Sequence, residues 1–272
     1  MVHWVHPQAL SLCERRPRGN RRLRQDYREA RQLSRRISGD VGPPRFYSEK
    51  RREVRRSRVL FRSHPLVRHA VSILRGQEDH FGHGILHAAR VAVDAGALVM
   101  AESENGIKGQ DVGRLIFLAH LAAVFHDVRR FEKQHAKKSA ETAEPLLKSA
   151  FGLHEAEVTA VTKAIGNHEA FQPVETLEDP LASLISDTLY DADKFRWGPD
   201  NFTEMLWSML ERRNVPIPAV MGRYLEGLKG IERIRSTFRS STGQVYGPDF
   251  IDRGLEVGRR LYEELLKMKQ GG

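Results

Sequence analysis

From residue 62 onward, apolar side chains recur every three or four positions, and strict apolar/polar alternation is rare. That period predicts helices over residues 65–74, 84–102, 111–127, 136–150, 154–168, 180–193, 202–212, 218–239 and 249–268, separated by Gly and Pro breaks. The fold expected is therefore all-α. Two segments, 84–102 and 111–127, are apolar almost all round (Leu86, Val91, Val93 and Leu98; Leu115, Ile116, Phe117, Leu118, Leu121 and Val124). A helix without a polar face is packed on every side, so these two are expected at the domain centre. Ionisable residues on them need partners. Further along, Met221-Leu225-Leu228 and Ile251-Leu255-Leu261-Leu265 form cleaner stripes, expected to serve packing.

The first sixty residues read differently. Of the chain's 44 Lys+Arg and 35 Asp+Glu, residues 1–68 hold 19 and 6, so a net charge of +9 conceals a strongly basic leading quarter on a mildly acidic body. Arg15-Arg16-Pro17-Arg18, Arg21-Arg22-Leu23-Arg24 and Lys50-Arg51-Arg52-Glu53-Val54-Arg55-Arg56 contain few large apolar residues. Residues 1–60 are accordingly expected to be a basic extension, disordered or weakly helical, and 61–272 the helical domain. The extension is read as a solvated tail or upstream-start addition, with a nucleic-acid-binding, lipid-binding or organellar-targeting arm as alternatives. Its start lacks the apolar core and cleavage site of a secretory signal. The run from Leu115 to Phe125 is too short for a membrane span, which takes roughly 20 residues.

Cys13 is the single cysteine, which excludes an internal disulfide framework and a Cys-rich zinc site and favours a reducing cytoplasm. Metal chemistry would then fall mainly to the twelve histidines. His126-Asp127 follows directly on the apolar run Leu121 to Phe125, so an imidazole and a carboxylate emerge together at the end of a buried helix. That pair suits a divalent first-row metal. His168 is in phase with Val161, Ala164 and Ile165 and so is directed into the domain, where an imidazole needs a partner.

His87-Ala88-Ala89-Arg90-Val91, then His126-Asp127, then Asp191-Ala192-Asp193-Lys194-Phe195 resembles the H…HD…D signature of the HD-domain metal-dependent phosphohydrolases. The resemblance covers roughly residues 62–200. It implies an all-helical HD bundle with a four-residue metal site formed by His87, His126, Asp127 and Asp193. It prefers Asp193 to Asp191, which is expected to be a helix cap or surface acid. Some members add two histidines and a second metal; His135 and His168 stand in similar positions. Asp127 would then bridge the two ions.

The implied activity is hydrolysis of a phosphoester in a nucleotide or other small phosphorylated substrate by a metal-activated water. Arg129, Arg130 and Lys194 are candidates to hold the phosphate, because a guanidinium can grip it through two hydrogen bonds. The cofactor expected is one or two divalent ions, with Mn, Fe, Mg, Co, Ni and Zn not distinguished. The alternatives are an HD-type di-iron oxygenase and a non-catalytic metal-binding regulatory or RNA-associated protein whose N-terminal arm contacts nucleic acid. The cyclic-dinucleotide branch is disfavoured, because Ala170-Phe171-Gln172-Pro173 replaces its Gly-Tyr-Pro element. His83 is a candidate supporting group, His120 is expected to be a satisfied core residue, and His154 and Glu169 are expected to be solvated.

Overall fold

A computed structural model of the chain describes residues 21–75, 84–104 and 111–270. Residues 1–20, including Cys13, and His83 lie outside them. The described residues contain no strand. Their α-helices are α1 (Arg21–Val41), α2 (Phe46–Glu49), α3 (Arg51–Ser63), α4 (Pro65–Arg75), α5 (Ile85–Glu104), α6 (Val112–Phe125), α7 (His135–Ala150), α8 (Glu155–Gly166), α9 (Pro180–Phe195), α10 (Leu206–Arg213), α11 (Ile217–Met221), α12 (Tyr224–Glu232) and α13 (Ser241–Gln270). A π-turn, Asn201–Met205, precedes α10, and a 3₁₀ turn, Arg233–Ser236, follows α12. No described helix is long and apolar enough to cross a membrane.

Contacts divide the chain into two compact units. One comprises Arg45–Arg196 with Thr237–Pro248. At its centre α5 packs on α6: every residue from Val91 to Met100 and from Leu115 to Phe125 is buried. Local chemistry sets the helix starts. Asp111 accepts a hydrogen bond from the Arg114 N–H at 3.1 Å, and Asp179 from Leu181 N–H at 3.0 Å with Pro180 as the first helical residue. The Arg114 guanidinium forks onto Glu157 at 2.6 and 2.7 Å, tying α6 to α8.

The other unit contains residues 21–44, 197–236 and 249–270. In it the buried Tyr27 hydroxyl donates to the carbonyls of Leu210 and Val215, and Trp207 Nε1 donates to Ser34 Oγ at 3.1 Å. Arg253 reaches the Val41 carbonyl at 2.7 Å.

The described part of the basic quarter is thus helical and packed. Charge hides the pattern: among its described side chains α1 buries only Tyr27, Ala30, Ser34 and Ile37, spaced three and four apart among arginines. Residues 45–60 belong to the first unit and 21–44 to the second, so the division at residue 60 falls within a unit.

Most expected helices match within a few residues. The segment 218–239 instead breaks at Gly222 into α11, α12 and the 3₁₀ turn. Its buried stripe is Tyr224, Leu228 and Ile231, while Leu225 is half exposed. The last helix starts eight residues before its expected position, carrying Pro248 within it.

Candidate metal centre

Five helices of the first unit bring the candidate ligands together. His87 stands in the first turn of α5, His126 and Asp127 directly after the last residue of α6, and His135 at the start of α7. His168 lies two residues past α8, and Asp193 in the last turn of α9. All six side chains are at most 9 % exposed.

His126 and His168 are set by the same device. The last turn of a helix leaves carbonyls without intrahelical donors. His126 Nδ1 lies 2.7 Å from the Ala123 carbonyl, and His168 Nδ1 2.6 Å from the Ile165 carbonyl, each three residues back. In both, Nδ1–H donates to the oxygen, which fixes the tautomer and leaves the Nε2 lone pair directed inward. The C-terminal ends of α6 and α8, where carbonyl dipoles concentrate negative potential, border the cluster and favour a cation there.

Those lone pairs meet other acceptors. His126 Nε2 is 3.2 Å from His87 Nε2, 3.5 Å from Asp127 Oδ2 and 3.7 Å from Asp193 Oδ1. His87 Nε2 is 3.3 Å from Asp193 Oδ1 and 3.9 Å from Asp127 Oδ2. On the other side of the same carboxylate, Asp127 Oδ1 is 3.3 Å from His168 Nε2 and 3.5 Å from His135 Nε2. The two oxygens of Asp127 therefore face two different groups of imidazoles. His168 Nε2 is buried and aligned with no hydrogen-bond partner.

Acceptors converging in a buried space repel unless a proton or a cation lies between them. Two donors held about 2.1 Å from one ion at tetrahedral angles stand roughly 3.4 Å apart, which is the separation found. Within the cluster, His87, His126 and Asp193 form one triad able to hold an ion, and His126, Asp127 and His168 another. His135 falls outside both triads, although its Nε2 faces Asp127.

The titration behaviour follows from burial and these neighbours. Burial disfavours the charged form of His126, yet Asp127 and Asp193 overcome it and raise the pKa. Burial lowers His168 despite Asp127, and pushes His135 down to about 3 with Arg130 assisting. Asp193 stays well below the usual carboxylate range, since Lys194 and the two imidazoles outweigh its own desolvation.

The cationic candidates separate clearly. Lys194 is buried, with Nζ 2.6 Å from Asp193 Oδ2 and 2.9 Å from the His168 carbonyl. It ties two ligand-bearing segments together. Arg130 Nη1 is 2.9 Å from His135 Nε2 and 3.6 Å from Asp127 Oδ1, beside the second lobe. Arg129 is 48 % exposed and ion-paired with Glu132.

Two acids differ from expectation. Asp191 is fully buried, accepting from the Arg239 and Ser240 N–H groups at 2.8 and 2.9 Å and from Ser240 Oγ at 2.7 Å. It caps the start of α13 from a distant helix, so it is a cap but no surface acid, and burial pushes its pKa up to about 7. Glu169, expected to be solvated, places Oε2 3.5 Å from His135 Nδ1 and is 21 % exposed. Its signal in the sequence was adjacency to His168, and nothing there linked it to His135. Arg239 was also missed: it donates to the Asn167 carbonyl at 3.0 Å and stacks 3.6 Å over the Tyr190 ring. No sequence period connects it to α9. His120 is buried in the core with Nε2 3.0 Å from Ser57 Oγ, and His154 is exposed, its N–H donating to Glu157.

Compared with known proteins, the chain matches no protein-family model, no curated protein and no solved structure.

Proposed function

We propose that the protein is a metal-dependent phosphohydrolase that cleaves a phosphoester of a nucleotide or another small phosphorylated substrate. The observation that carries the reading is the split of Asp127: Oδ2 faces His87 and His126, and Oδ1 faces His135 and His168, at 3.3–3.9 Å. A bridging carboxylate between two imidazole groups is a donor set for one or two divalent ions. The order of ligands along the chain, which resembles that of HD-domain phosphohydrolases, supports the same assignment.

His87, His126 and Asp193 would hold one ion, with Asp127, His168 and His135 completing a second lobe. A divalent ion so held lowers the pKa of a water and neutralises charge developing on a phosphoryl group. The protein's own residues do the rest. Ala123 and Ile165 carbonyls keep His126 and His168 in their ligating tautomers, and Lys194 orients Asp193. Arg130 is partly exposed beside Asp127 with Nη1 on His135 Nε2, and an ion on that nitrogen would free the guanidinium to take two phosphate oxygens. Arg129 is engaged by Glu132, and Lys194 by Asp193 and the His168 carbonyl, so neither is assigned that role.

Elemental analysis of the purified protein, followed by a screen of nucleotides and phosphate esters with Mn, Co, Ni, Fe, Mg or Zn added, tests the reading. Hydrolysis of at least one ester is expected, with His126→Ala lowering kcat/KM by about a thousandfold or more and reducing bound metal. Metal-loaded protein that hydrolyses none of them, or a His126→Ala variant as active as the parent, overturns it. A mixed-valence di-iron spectrum with dioxygen consumption would transfer the assignment to an oxygenase.

A further inference from the structure

We propose that the outer face of α3 binds the phosphate backbone of duplex DNA without reading its sequence. The helix carries Arg51, Arg52, Arg55, Arg56, Arg58 and Arg62, and all six side chains are exposed. None makes an ion pair or side-chain hydrogen bond among the described residues. On a helix of 100° per residue, Arg51, Arg55, Arg58 and Arg62 fall on one stripe about 16 Å long, with Arg52 and Arg56 beside it. Arg51/Arg55, Arg52/Arg56 and Arg58/Arg62 are like-charged pairs at i,i+4, an arrangement that destabilises a free helix.

The acid that could relieve this repulsion points the other way. Glu53, the single acidic residue of α3, is buried on the opposite face and paired with Lys50 at 3.9 Å. That opposite face is fastened down. Val54 and Ser57 are buried, Ser57 Oγ bonds His120 Nε2, and α3 approaches α5 so closely at Gly96 that a Cβ there would stand against the Ser57 hydroxyl. The arginines are thus presented by a fixed helix, not by a mobile arm, and together they form a cationic face complementary to a polyanion.

The composition of the face selects among polyanions. An anionic membrane is bound by apolar and aromatic anchors beside the cations, and here Val59 is the one large apolar side chain exposed on α3. Unpaired bases are held by aromatic stacking, which the face lacks. Duplex RNA is met across its minor groove by shape and through 2′-hydroxyls that donate as well as accept, and beside its guanidiniums the exposed face offers only Ser63, at its end, as an acceptor for them. A row of guanidiniums alone suits the regular, high charge density of a DNA backbone.

Fluorescence anisotropy of the full chain with a labelled 24-base-pair duplex of arbitrary sequence tests this. Six phosphate contacts predict about a thousandfold loss of affinity between 50 and 200 mM salt. Replacing Arg51, Arg55, Arg58 and Arg62 together by Gln, a comparable helix former, should leave only about a tenfold loss over that range. The same four changed to Lys should keep the parental slope. Circular dichroism and metal content verify folding of the Gln variant; if it does not fold, Arg55→Gln and Arg62→Gln singly should each lower the slope by about one. No binding at 50 mM salt overturns the proposal, as does an unchanged slope in the Gln variants. So does tighter binding of the RNA duplex or of phosphatidylserine vesicles, or self-association of the parent that the Gln variant abolishes.

Discussion

Three imidazoles of the cluster are governed by what their second nitrogen touches. For His126 and His168 that partner is a carbonyl of the preceding helix end, and for His135 it is the carboxylate of Glu169. Supports of this kind are typically worth 10–100-fold in metal affinity. Glu169→Gln is therefore expected to weaken metal binding at the second lobe by about that factor with little effect on an ion taken up by His87, His126 and Asp193, measured as stepwise metal titration by calorimetry. His120 gives a pH prediction away from the cluster. Burial holds its pKa at about 3, against 6.5 in the unfolded chain. Below pH 6.5 the unfolded state takes up a proton that the folded state refuses, so stability falls with pH from about 6.5 toward 3. Between pH 7 and pH 5 this one residue should cost about 2 kcal/mol, and urea unfolding of His120→Gln should show a correspondingly smaller acid loss.

At the scale of elements, the centre was legible because α5 and α6 are apolar almost all round. Three features were not. The buried stripe of α1 is too sparse among arginines to register as amphipathic, the helix over 218–239 yields at Gly222, and α13 extends past Pro248 because Asp191, forty-nine residues upstream of Ser240, supplies its cap. The α3–α5 contact offers a test of element packing. Gly96→Val should drive its side chain into Ser57 and His120, whose Nε2 lies 2.6 Å from the added Cβ. Overpacking of that kind costs about 1–3 kcal/mol, readable as a lowered Tm, and should leave metal stoichiometry intact in the folded fraction.

For the molecule as a whole, a metal held by these residues would couple to folding through the first unit. Ligands drawn from five helices come together only in the folded chain, so an ion that binds the native state alone stabilises it by about 2.7 kcal/mol at a hundredfold excess over Kd. Thermal melts of the intact protein should show a metal-dependent rise in Tm that Asp193→Asn largely abolishes. If Asp193→Asn responds to metal as the parent does, Asp193 is not a ligand. The second unit contains none of the six candidate ligands.

What the sequence determined by itself was local: the helical period, the burial of α5 and α6, and the His and Asp residues able to bind metal, whose order along the chain was visible without coordinates. These depend on periodicity and residue type, which neighbours in sequence carry. Tertiary structure decided the rest. It divided Asp127 between two imidazole groups, buried Lys194 against Asp193 and the His168 carbonyl, buried Asp191 as a distant cap, brought Glu169 behind His135, and turned five arginines of a supposed tail, with Arg62, into one face of a packed helix. All of these depend on distances between residues far apart in the chain, or on which side of a helix is covered, and one-dimensional spacing does not encode either.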